Sequence, residues 1–83
     1  MRRYLAIHPV AYDKEELGQL AKLQLPAGVT WRYTWCALGD GKTFCEWEAP
    51  NRQTVEDILR ESGTPCEGIY EVEHYDVKSG DLD

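Results

Sequence analysis

The sequence is short of positive charge. Nine Lys and Arg stand against fifteen Asp and Glu, for a formal net charge of −6. Phosphate binding needs clustered cations, and Arg2-Arg3 is the only adjacent basic pair, so nucleic acid is not an expected partner. Long apolar runs are missing too. None approaches the roughly 20 residues that span a bilayer, and Met1-Arg2-Arg3-Tyr4 leads into a short apolar strand rather than a secretory h-region. Cysteines are few and odd in number. Cys36, Cys45 and Cys66 cannot all pair within one chain, which points to a reducing compartment, with the cytoplasm as the expected address and no membrane partner. There is no Cys-x-x-Cys pair. Gly39-Asp40-Gly41 lacks the spacing and following helix of a phosphate-binding loop, so it reads as a turn.

What is present describes one small globular domain. The 83 residues are 42% apolar and 29% charged, enough for a single core over 1–77, with a mobile acidic tail at 78–83. A domain this small gains stability by dimerising. Tyr4 to His8 has strand composition and stops at Pro9. Asp13 and Glu16 have capping-box spacing ahead of Leu17, Leu20 and Ala21. Val29 to Leu38 is the strongest strand, with Val29, Trp31, Tyr33, Trp35 and Ala37 on one stripe. Gly39-Asp40-Gly41 turns it back into an antiparallel strand ending at Ala49-Pro50. Asn51 is the expected N-cap of a second helix with Val55, Ile58 and Leu59 on its inner stripe, which Gly63 and Pro65 close. Ile69 to Tyr75 is the expected last strand. The order βαββαβ predicts an α+β, ferredoxin-like fold, a four-stranded antiparallel sheet with two helices on one face. Its other face is left open for a homodimer or a ligand.

Side chains alternate along a strand, so Glu46 and Glu48 point one way, and Cys45, Trp47 and Ala49 the other. A Glu is seldom buried without a partner, so the first pair meets solvent or is matched to something. Strand parity places Glu46, Glu48, Glu71 and Glu73 on the open face. Trp47 and Val72 then fall against the helices. His8, opposite Leu5 and Ile7, would join the carboxylates there, with His74 nearby. Imidazole and carboxylate together suit nickel, zinc or another first-row ion. The bland alternative is a solvated acidic face with Arg32 and Lys side chains as partners. The aromatic set Trp31, Tyr33, Trp35 and Trp47 reads as core or interface, or as the lining of a small-molecule pocket. The cysteines read as structural thiols, since Cys45 follows Phe44 within a strand and Cys66 sits beside Glu67.

Two segments carry a family likeness: Gly41 to Pro50, and Gly63-Thr64-Pro65 followed by Ile69-Tyr70-Glu71-Val72, with Trp31 and Tyr33 ahead of the hairpin. Together they resemble a family of small ferredoxin-like proteins whose annotated branch is nickel-binding. The resemblance implies a ferredoxin-like fold pairing as a dimeric α/β barrel. It also implies a metal site built from an Asp-x-His on the first strand, helix histidines and a Glu before Ala-Pro. His8 and Glu48 stand at two of those places. Ala6 holds the Asp position, and neither helix segment contains histidine. The expectation is a small binding protein holding a divalent ion such as nickel. One rival is a small-molecule carrier or small enzyme of the dimeric α/β-barrel type, monooxygenase- or isomerase-like, with His8 at the mouth of an aromatic pocket. Another is a ligand-free dimeric interaction module.

Overall fold

A computed structural model describes residues 2–82. Its elements run β1 (Arg2–His8), α1 (Lys14–Leu20), β2 (Thr30–Ala37), β3 (Lys42–Ala49), α2 (Arg52–Glu61) and β4 (Gly68–Glu71). The sheet is antiparallel throughout, in the order β2-β3-β1-β4. This is the ferredoxin-like split βαβ arrangement, with both helices over one face.

Both helices start where the capping chemistry dictates. The Asp13 carboxylate accepts from the Glu16 N–H at 2.8 Å, and the Glu16 carboxylate accepts from the Asp13 N–H at 3.2 Å. Asn51 Oδ1 accepts from the Thr54 N–H at 2.9 Å. α2 ends in a Schellman motif: the Gly63 N–H donates to the Arg60 carbonyl and the Thr64 N–H to the Leu59 carbonyl. Gly63 takes φ +70°, a left-handed turn that costs a glycine nothing.

The core lies between sheet and helices. Tyr4 and Ala6 of β1, Cys45, Trp47 and Ala49 of β3, and Val55 and Leu59 of α2 are all buried. The two helices contribute unequally, because α1 buries none of its residues.

β2 departs from the uniform stripe read from its sequence. A β-bulge between Trp31 and Tyr33 inserts Arg32 as an extra residue. An odd insertion reverses the alternation beyond it. Trp31 therefore packs with the core, while Tyr33 and Trp35 point to the open face, 58% and 48% exposed.

The last expected strand is also shorter. The Val72 N–H still reaches the Arg3 carbonyl, but β4 ends at Glu71. Tyr75–Asp76 (β5) instead pairs with Asp81–Leu82 (β6) as a small hairpin. Met1 and Asp83 lie outside the described residues, so the expected acidic tail is described only to Leu82.

The inequality of the helices is measurable by urea unfolding. Leu59→Ala should cost about 2–5 kcal/mol, as for a well-packed core leucine. Leu17→Ala, on the half-buried face of α1, should cost about 1 kcal/mol or less. Equal losses would contradict the packing described.

A neutral histidine in an uncharged cleft

β1 and β3 pair from Arg2↔Ala49 to His8↔Thr43, which places His8 on the same face as Tyr4, Ala6, Cys45 and Trp47. That is the helix-covered face, not the open face expected from β1's composition. His8 is 1% exposed. Its Nδ1 lies 2.8 Å from the Pro65 carbonyl oxygen. A carbonyl only accepts, so Nδ1 carries the proton and Nε2 presents a lone pair. The Schellman turn at Gly63 steers the chain so that Pro65 meets His8.

Nε2 has no hydrogen-bond partner among the described residues, and neither has the buried Trp47 indole N–H. Both residues line a narrow cavity of about 30 Å³ between sheet and helices. Trp31 and Cys45 complete its sheet wall, with Leu17 and Leu20 of α1 and Ile58 and Leu59 of α2 opposite. Among the described lining residues there is no Asp, Glu, Lys or Arg. Trp31 stacks on Trp47 with centroids 5.7 Å apart and planes 14° from parallel. The Trp31 indole donates to Thr34 Oγ1 at 2.8 Å, and Thr34 donates to Cys45 Sγ at 3.5 Å. Tyr12 closes one end, its ring edge-on to His8 at 6.3 Å. Buried Thr43 holds it there, accepting from the Tyr12 N–H and donating to the Val10 carbonyl.

The carboxylates expected beside His8 are elsewhere. Glu46 and Glu48 are on the open face, as expected. Glu46 is only 6% exposed, matched by Arg3 at 3.5 Å and by the bulged Arg32 at 3.9 Å. Arg32 also donates to Glu48 at 2.6 Å. Glu71 falls opposite Tyr4, at the exposed rim of the helix side, where it pairs with Arg2 at 3.7 Å. Glu73 and His74 border an open-face groove with Leu5 and Val72, so Val72 does not face the helices. The sheet thus separates His8 from Glu46, Glu48 and Glu73. Among the described residues no three His, Cys, Asp or Glu side chains converge as a metal site would need. The aromatic set is split likewise: Trp31 and Trp47 line the cavity, while Tyr33 and Trp35 do not. Sequence reasoning missed Thr34, Thr43 and Pro65, whose roles depend on register and loop path. All three cysteines are free, and burial pushes the Cys45 thiol above its ordinary range.

Burial lowers the His8 pKa below the ordinary 6.5, only partly opposed by the Pro65 carbonyl. Below pH 6.5 the unfolded chain takes up a proton at His8 that the folded chain refuses, so stability falls on acidification until the folded-state pKa is passed. The urea midpoint should therefore drop between pH 7 and about 5.5, above the main carboxylate range. In His8→Asn that part of the slope should vanish, whatever the change in overall stability. An unchanged slope would contradict a buried neutral imidazole.

The family model described as nickel responsive protein SCO4226-like matches residues 6–72. The crystal structure of SCO4226 from Streptomyces coelicolor A3(2) aligns with a TM-score of 0.71, covering 84% of this chain and 94% of that one. At 20% identity the likeness carries the fold alone. No curated protein matches the chain, and no helix among the described residues is long and apolar enough to cross a membrane. With most of its length matched, the chain belongs to the SCO4226-like family of nickel responsive proteins.

Proposed function

We propose that this protein binds a small, uncharged organic ligand in the cleft between its sheet and helices. The observation that carries this reading is the buried, unpaired His8 Nε2, on a residue that lines a cavity of aromatic and aliphatic groups with no ion among the described lining residues. Such a cavity disfavours ions, which would lose hydration without a counter-charge, and favours apolar molecules with one or two directed polar contacts. The cavity's 30 Å³ is on the scale of water, whereas about 150 Å³ accommodates benzene. A ligand must therefore displace a wall. α1 is that wall, since it lends Leu17 and Leu20 to the cavity yet buries no residue of its own.

A metal-binding reading keeps one point of support besides the family's description. An imidazole whose Nδ1–H is held by a backbone carbonyl is oriented to ligate through Nε2. Among the described residues no three ligand-type side chains converge with it, so the organic-ligand reading is preferred. The open face is proposed as a homodimer interface. Tyr33, Trp35 and Tyr70 are about half exposed there around the neutralised Arg3–Glu46–Arg32–Glu48 cluster, a composition suited to a second copy of the same face.

Toluene is the simplest probe of the cleft. Followed by amide and indole N–H resonances, it should shift Trp31, Trp47, Leu17 and Leu20 saturably, and Leu17→Ala should bind it more tightly by trimming the wall. Shifts confined to Tyr33 and Trp35 would contradict the assignment. Sedimentation equilibrium should return twice the 9.5 kDa chain mass, reverting to the monomer in Trp35→Glu. A monomeric wild type would remove the interface.

A further inference from the structure

We infer that the cleft selects a neutral aromatic molecule bearing a hydroxyl group, a phenol, whose O–H donates to His8 Nε2. The inference rests on the cleft reading above and adds the chemical class of the ligand. The argument is an inventory of donors and acceptors. His8 Nδ1–H is already given to the Pro65 carbonyl at 2.8 Å, so this cavity-lining ring keeps only the Nε2 lone pair to offer a ligand. That lone pair is buried and has no partner among the described residues. Leaving a buried acceptor unpaired is costly, and the cost is recovered only by a donor, either a water in the small cavity or a ligand hydroxyl that replaces it.

Several ligand classes fail this test. A carboxylate or phosphate brings only acceptors and would set a negative charge against the lone pair. An ether or ketone likewise leaves Nε2 unpaired. An ammonium donates, but it would be a cation in a cavity without an Asp or Glu. A hydroxyl donates while remaining neutral, and its oxygen keeps acceptor capacity. The second orphan in the same wall, the Trp47 indole N–H, is a donor only. It suits a ligand that also carries an acceptor and penalises a pure hydrocarbon.

The rest of the wall specifies the body of the ligand. The Trp31–Trp47 stack offers a flat π-surface for a ring, and aromatic pairs add to area burial. Leu17, Leu20 and Ile58 supply aliphatic contact on the helix side. Cys45 does not compete for the hydroxyl, because its sulfur already accepts from Thr34.

Phenol, anisole and toluene titrated separately into the wild-type protein, read by tryptophan fluorescence and indole N–H shifts, test the inference. The three share a ring and differ in what they offer His8: donor and acceptor, acceptor only, or neither. Phenol should bind about 3–10-fold more tightly than anisole, the worth of one neutral hydrogen bond. The advantage should disappear in His8→Phe. If that variant does not fold, the phenol-to-anisole ratio in the wild type and a phenol-dependent shift of the His8 Nε2 resonance decide the matter. Equal binding of phenol and anisole would overturn the hydroxyl–His8 contact while leaving the cleft as an apolar site. No binding by any of the three would overturn both.

Discussion

The antiparallel pairing of β1 with β3 governs everything functional in this protein. Seven consecutive residue pairs, Arg2↔Ala49 through His8↔Thr43, are in register. Side chains in a strand alternate with period two, so a slip of one residue would move His8 to the open face and Arg3 into the core. The register as it stands groups Tyr4, Ala6, His8, Cys45 and Trp47 under the helices. It leaves Arg3, Leu5, Glu46 and Glu48 on the other side.

The sheet thereby divides the chain's chemistry into two unlike surfaces. On the open face the charges neutralise each other: nearly buried Glu46 lies between Arg3 and Arg32, and Arg32 also serves Glu48. The bulge at Arg32 makes this possible while turning Tyr33 and Trp35 outward. In the cleft on the helix face, the described lining residues carry no charge to neutralise. The His8–Pro65 bond holds the ring as one neutral tautomer, and the unequal anchoring of the two helices leaves α1 as the wall that can yield. One strand supplies both surfaces, which is why a residue count of acids and histidines alone suggests a single metal-binding cluster.

Much of the fold was legible in the sequence because its signals are local. Asp13 with Glu16, Asn51, Gly63 and Gly41 each perform the capping or turning role their residue type implies, and the βαββαβ order follows from them. The site was less legible because it depends on which face of each strand is covered. In β1 both stripes are partly apolar: Leu5 and Ile7 look more like core than Tyr4, Ala6 and His8, so parity alone could not choose. In β2 the unbroken alternation of Trp31, Tyr33 and Trp35 gave no sign of the bulge that splits them. Glu46 looked like half of a ligand pair because its partners come from β1 and from a bulged residue, neither adjacent to it in sequence. The Pro65 carbonyl, which decides the His8 tautomer, carries no side-chain signature at all.

The central claim is that His8, in the cleft lining, is a neutral imidazole with its proton on Nδ1 and a lone pair on Nε2. Nitrogen-15 NMR of the imidazole in the intact protein at pH 7 tests it most directly. The account predicts a protonated, pyrrole-type Nδ1 and an unprotonated, pyridine-type Nε2 for His8. A proton on Nε2, or an imidazolium with both nitrogens protonated, would contradict it.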